Sequence, residues 1–262
     1  MNNRALIISL LGLILFGLQS CDNANNPSGN GVSNGGFSVA PDKQVHFSQG
    51  NLQYQASTNT WRFAEQQYDI IGEANSNIST SYDGWIDLFG WGTGNNPTNT
   101  SSHPEDYSSF VDWGVNAISN GGNIANQWRT LTADEWYYLG YKRPKAATLF
   151  GLGCVNGVNG AILLPDNWKT PNGVSFSPGA KNWSNFYSIA QWQIMELAGA
   201  VFLPAAGVRL SVIGVTDVGL KGYYWSATYD YEDRVACYLS VCSWGLGYEG
   251  GGFDGKSVRL VH

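Results

Sequence analysis

The chain has 262 residues and a formal net charge of −6, with 43% hydrophobic and 14% aromatic residues but only 13% charged ones. That length allows one domain or two small ones, and an acidic balance with no basic stretch argues against direct nucleic-acid binding. The polar surface must therefore come from Asn, Ser, Thr, Gln and Gly, the residues that accompany Tyr and Trp on many recognition surfaces.

Arg4 supplies a positive charge, and residues 5–18 (ALIISLLGLILFGL) are almost purely apolar. A bilayer span needs about 20 apolar residues, so this run reads as the core of an export signal. It closes on Leu18-Gln19-Ser20-Cys21. That tetrapeptide resembles the lipobox of bacterial lipoproteins. The resemblance implies that residues 1–20 are a cleaved signal peptide and that Cys21 is the acylated first mature residue, with palmitate among its lipids. The alternative is an ordinary signal peptide ending near a chance cysteine. Residues 21–36 run on as a polar Gly/Asn/Ser-rich stretch without periodicity, expected to be a flexible tether. The protein is then expected to be lipid-anchored in the cell envelope, on the outer membrane and surface exposed.

From Phe37 the pattern becomes that of β-structure. Residues 37–39, 45–47, 52–55 and 61–63 alternate apolar and polar side chains between turn signals, and the last two should form a hairpin. Residues 84–112 read as long loops. Thr132-Ala133-Asp134-Glu135 fits a capping box, starting a helix with Trp136 and Leu139 on one face and Gly140 as its end. Asp134 and Glu135 are better explained by capping than as an acid/base pair. A second helix is expected over 189–198, with Ile189, Trp192 and Leu197 as its apolar side and Gly199 as its stop. Two Asn-Gly turns at 156–157 and 159–160 precede a buried strand at 161–164, and residues 200–203 form another, stopped by Pro204. The closing strands are 223–228, 235–241 and 257–261. These elements predict a single α+β domain over residues 37–262, with a mixed, mostly antiparallel sheet, two short helices and long loops.

Three segments resemble one superfamily. Trp128-Arg129-Thr130-Leu131-Thr132-Ala133-Asp134-Glu135-Trp136 is similar to the "WRLPTxxEW" segment of C-type-lectin-like domains. Gly222-Tyr223-Tyr224-Trp225-Ser226-Ala227-Thr228 resembles the "G.YWSST" strand, and Gly255-Lys256-Ser257-Val258-Arg259-Leu260-Val261 the closing "G.SVRLV" strand. That branch includes the formylglycine-generating enzymes and the Fibrobacter succinogenes major paralogous domain of bacterial surface lipoproteins. The resemblance implies a C-type-lectin-like fold. The tail also resembles the variable region of diversity-generating retroelement targets. There, contact residues lie between "YWS" and "SVR" anchors, which here bracket residues 229–254.

On that resemblance a binding face is expected at Tyr229, Tyr231, Arg234, Tyr238, Ser240, Trp244, Tyr248 and Phe253, since Tyr, Trp and Arg dominate recognition hot spots. Trp225 should fill the core, and Arg259 should anchor the closing strand through buried hydrogen bonds. Cys237 and Cys242 have the spacing of the active pair of formylglycine-generating enzymes, which implies copper and an oxidase. Strand alternation instead puts Cys237 with Leu239 and Val241 on an apolar face and Cys242 on the other, about 17 Å apart along a strand, beyond the ~7 Å reach of a disulfide. Asp230, Glu232 and Asp233 could bind Ca²⁺ but fit a solvated loop, and the superfamily's calcium-dependent sugar motifs are absent. The Pro165-Asp166-Asn167-Trp168 segment fits a turn. No cofactor and no metal are expected. The expected protein is a non-catalytic, monomeric lipoprotein binding a protein or glycan ligand. The alternatives are a copper-dependent oxidase and a structural envelope lipoprotein without a specific ligand.

Overall fold

Period-two alternation organises the N-terminal part of this computed structural model, which describes residues 30–210, 213–241, 245–250 (backbone alone) and 252–262. Strand β1 (Phe37–Ala40) buries Phe37 and Val39 and pairs antiparallel with β2 (Lys43–Val45). β3 (Leu52–Gln55) and β4 (Thr60–Phe63) form the expected hairpin, with Tyr54 opposite Trp61, and β5 (Trp85–Ile86) pairs with the other edge of β3. The domain begins earlier than expected. Ser33 N–H donates to the Phe47 carbonyl at 2.8 Å and Gln49 N–H to that of Gly31 at 2.6 Å. The last residues of the expected tether are therefore part of the domain, held by backbone pairing that polar composition alone does not reveal.

Helix α1 (Ala133–Tyr137) carries the full capping box: Thr132 Oγ1 accepts from Glu135 N–H, and Glu135 Oε2 accepts from Thr132 N–H. Gly140 does not end it. A π-helical turn follows over Tyr138–Lys142 and stops at Arg143, which is extended as a residue before proline must be. Strand β6 (Phe150–Val155) turns at Asn156-Gly157, both at positive φ (49° and 81°), into β7 (Val158–Leu163). These are the angles a type I′ hairpin turn requires. Asn159-Gly160 lies within β7. β8 (Asn185–Tyr187) adds to β6 in parallel, and β9 (Val201–Pro204) to β7 in antiparallel register. Helix α2 (Ile189–Leu197) starts at a Ser188/Gln191 capping box and ends at Gly199, whose φ is +96°. Its buried side is Trp192 and Met195, three residues apart. Ile189 and Leu197 sit on other sides of the helix and are exposed.

β10 (Val208–Leu210) and β11 (Gly214–Thr216) form a small hairpin. β12 (Tyr223–Asp230), β13 (Val235–Ser240) and β14 (Gly245–Gly250) form an antiparallel meander. The protein is thus mixed α+β, mostly β, built from five small sheets of two to four strands among the described residues. The one continuous mixed sheet expected from the sequence is broken up by loops. The closing segment 257–261 is no regular strand either. It threads between elements and bonds to several in turn: Leu52 N–H and Ser48 N–H donate to Val258 and Leu260, and Val261 exchanges bonds with Arg129. Seven of the described tryptophans are buried, so the aromatic excess mostly builds core.

Glu135 joins the helix cap to charge pairing. Its carboxylate meets Arg129 twice, at 2.6 and 2.9 Å, and Lys43 at 2.8 Å. Burial opposes its ionisation, but these cations and the Thr132 N–H outweigh it and hold the pKa below the ordinary 4.5. Glu135→Gln is expected to cost about 2 kcal/mol at neutral pH, for loss of charge-assisted bonds at a largely buried site. A depressed folded pKa stabilises above the unfolded value and is lost as pH falls through the folded one. Urea midpoints of wild type and variant should therefore converge in acid.

Candidate functional site

The β12–β13–β14 sheet has two unlike faces. Cys237, Leu239 and Val241 point to one side, where Leu239, Val241 and Tyr224 join the core cluster around Phe37, Phe47 and Trp136. The opposite side carries Tyr223, Trp225, Tyr238 and Ser240, with Tyr223 paired to Ser240 and Trp225 to Tyr238. Tyr238 meets Tyr223 and Trp225 edge-on, at ring-centroid distances of 5.5 and 6.1 Å.

The chain returning through residues 252–256 crosses this second face. Trp91 N–H donates to the Gly252 carbonyl at 2.8 Å, and Gly252, at φ +73°, lies so close to Trp91 that a Cβ would stand 2.8 Å from the Trp91 Cβ. Lys256 follows, 1% exposed. Its Nζ lies 4.6 Å from the Trp225 ring, 4.8 Å from Tyr238 and 5.8 Å from Tyr223, all within cation–π range. Asp254 Oδ2 is 3.9 Å away. Three rings and a carboxylate thus hold a buried ammonium in place.

Beside this lysine a cleft of about 230 Å³ opens between the β10–β11 hairpin and the sheet. Val208 and Leu210 form its apolar wall, Tyr223 and Tyr238 its aromatic wall, and Thr216, Asp217, Asp254 and Lys256 its polar groups. An aromatic and apolar lining with a few convergent polar groups is the usual make-up of a recognition pocket. The volume is below the ~300–1,000 Å³ of sites that enclose a whole small molecule. It suits one projecting group of a larger ligand.

Five of the eight residues expected to bind divide between two places on the β12–β13 hairpin. Tyr238 is in the cleft, and Ser240 sits at that end of the hairpin opposite Tyr223. Tyr229, Tyr231 and Arg234 lie toward the turn of the hairpin, Tyr229 opposite Ala236 two residues along β13 from Tyr238 and Arg234 four residues along, about 7 and 13 Å. There Tyr231 is 81% exposed and packs edge-on to Tyr229 at 5.0 Å, which rests on Trp91 at 5.3 Å. Arg234, at φ +56°, is exposed in the connecting turn. Phe253 is half-buried in the crossing segment. Tyr248 falls in β14 opposite Cys237, described by backbone alone. Trp244, Cys242 and Cys21, the residue expected to carry lipid, lie outside the described residues. Sequence reading missed Val208, Leu210, Thr216, Asp217, Tyr223, Asp254 and Lys256. Tyr223 and Lys256 lie inside two motif segments, where they passed for framework.

Asp230 and Asp166 have structural partners. Asp230 Oδ1 accepts the N–H groups of Glu232 and Asp233 at 2.9 and 3.1 Å, so the acidic turn is capped by its own carboxylate. Asp166 accepts from Ser38 Oγ at 2.6 Å, Gln44 at 2.9 Å and Arg143 at 3.0 Å, tying the turn after β7 to β1. Among the described residues no group of three or more His, Cys, Asp or Glu could hold a metal ion. Cys237 is 2% exposed, and burial, reinforced by Asp230 and Asp134, pushes its thiol up to about 11. It is expected to stay unreactive toward a thiol reagent in the native protein and to react once urea unfolds the chain. No family model matches the chain, and no curated protein and no solved structure is significantly similar to it.

Proposed function

We propose that this is a lipid-anchored protein of the bacterial cell surface that binds a ligand without transforming it. Its domain is read as C-type-lectin-like, and its recognition face as the cleft beside Lys256 together with the Tyr229–Tyr231–Arg234 end of the same hairpin. The observation that carries this reading is the cleft itself: two tyrosines, two carboxylates and a pre-positioned lysine around a space sized for one group of a larger ligand. The second patch, about 7–13 Å along the same hairpin from Tyr238, suits an extended ligand such as a glycan chain or a protein segment. Rigid aromatics on a β-scaffold lose little entropy on binding.

The superfamily reading draws support from how the three motif segments meet. Val261 and Arg129 exchange backbone bonds, both at 2.9 Å. Ser257 bridges Tyr224, Ala227 N–H donates to Leu131 at 2.9 Å, and Ala133 N–H donates to Thr228 Oγ1 at 3.0 Å. Segments distant in sequence but similar to one family's motifs thus form one packed unit. The buried, protonated Cys237 weighs against an oxidase built on Cys237 and Cys242. The test is a glycan and protein array probed with the acylated protein and with its Tyr238→Ser variant. The reading expects ligands retained by the first and lost by the second. Retention of nothing would leave the structural-lipoprotein alternative standing.

A further inference from the structure

Helix α2 lies at the surface, yet its outward side is apolar. Trp192 and Met195 face the core, at 1% and 0% exposure. Ala190, Ile194 and Leu197 stand at i, i+4 and i+7, so they share the opposite side. Ile194 is 37% exposed and Leu197 55%. The helix contains no Lys or Arg, and its single acid, Glu196, turns back to Gln67 at 2.8 Å. Just before it, in the edge strand β8, Phe186 is 68% exposed. Surface helices ordinarily set charged and polar residues opposite their buried stripe. Here the outward stripe is aliphatic instead.

The path of the N-terminal segment says what covers it. The described chain begins at Asn30; Gly31 lies against the Asn120–Gly121 turn, and three residues further on Asn34 Nδ2 donates to the Leu197 carbonyl at 3.3 Å. Gly35 lies against Gly199 at the end of the helix, where a Cβ would stand 2.4 Å from the Gly199 carbonyl oxygen. Residues 22–29 are all that separate Cys21 from Asn30. A stretch of that length reaches at most about 30 Å. A lipid on Cys21 therefore keeps α2, which the chain meets a few residues after its first described residue, within reach of the bilayer.

We propose that the outward face of α2, with Phe186, docks on the lipid surface at the headgroup–acyl boundary and orients the domain on its membrane. This rests on the reading that Cys21 carries lipid. Few apolar side chains bind a membrane weakly on their own, but tethering makes the contact effectively intramolecular. A neutral bilayer suits this acidic chain, so no basic patch is needed.

The test uses the acylated protein in phosphatidylcholine vesicles doped with a diazirine-bearing phosphatidylcholine. Photocrosslinks and the N-terminal peptide are read by mass spectrometry. Lipid adducts are expected on residues 186–197, falling about tenfold in Ile194→Glu/Leu197→Glu for loss of partial burial of two aliphatic side chains. Leu197→Ser, a milder change at an exposed position, should fall in the same direction, with near-ultraviolet circular dichroism reporting that both variants remain folded. An acylated N-terminus with adducts elsewhere overturns the docking and leaves the anchor. An unacylated N-terminus overturns the anchor and the docking with it. Concentration-dependent crosslinks between protein copies through 186–197, in place of lipid adducts, overturn it in favour of self-association.

Discussion

Replacing Arg259 with Met is expected to destabilise the domain by about 3–5 kcal/mol, the usual cost of removing one partner from a buried charged network. Arg259 is 1% exposed, and its guanidinium donates to Gln67 Oε1 at 2.8 Å and Asn51 Oδ1 at 3.4 Å. Gln67 in turn holds Phe202 N–H at 2.7 Å, Glu196 at 2.8 Å and the Ala200 carbonyl at 3.1 Å. Asn51 donates to Tyr224 Oη at 3.3 Å, which donates to the Pro204 carbonyl at 2.8 Å. One side chain near the C-terminus thus ties together β3, α2, β9 and β12.

Burial pulls the Arg259 pKa down only to about 10, so it stays charged at neutral pH. Burial also raises Glu196, with Gln67 and the Arg259 charge as the opposing influences. Met would fill much of the volume. It would leave Asn51 Oδ1 without the Arg259 donor, Gln67 Oε1 with the Phe202 N–H alone, and Glu196 without its nearby cation. Exchanging a whole ionic network for apolar residues can be neutral; removing a single member is not. Urea denaturation measures the difference through the midpoint and the unchanged slope. With total stabilities of about 5–15 kcal/mol, the variant should be close to unfolded at 37 °C. A loss under about 1 kcal/mol would mean that the network does not hold the closing segment.

The second large effect is expected in binding. Tyr238→Ser should weaken the affinity for an array-selected ligand by about 2 kcal/mol, or ~30-fold. The ring forms one wall of the cleft and also one side of the box around Lys256, 4.8 Å from Nζ. Its removal takes contact area from the ligand and loosens the lysine that the ligand meets. Tyr238→Phe keeps the ring packing and should retain most of the affinity. Isothermal titration with the three proteins separates these outcomes. An unchanged Kd in Tyr238→Ser would remove the cleft from recognition.

Local signals read well from the sequence because they are local. The Thr132–Glu135 capping box, the Asn156-Gly157 turn and the inward side of Cys237 follow from spacing and alternation alone. The core role of Trp225 and the buried bonds of Arg259 also match the expectation drawn from the motif segments. What did not read through depends on distant chain segments. Residues 31–35 look like linker until Phe47 and Leu197 pair with them. Residues 257–261 look like a strand, yet their backbone partners come from four regions, so no continuous ladder forms. Ile189 and Leu197 look like the buried side of α2 because they are apolar; three-dimensional packing gives that side to Trp192 and Met195. The cleft was the least legible feature. Its hairpin wall, Val208 to Asp217, carries no motif, and Lys256 acquires meaning only when three rings close around it.

The central claim, that the outer face of the β12–β13 hairpin and the segment crossing it form the recognition site, is most directly tested by hydrogen-exchange footprinting of the protein with and without the selected ligand. The account predicts slowed exchange concentrated in residues 208–216, 223–240 and 252–256. Slowed exchange confined to other segments, with these three unchanged, would contradict it.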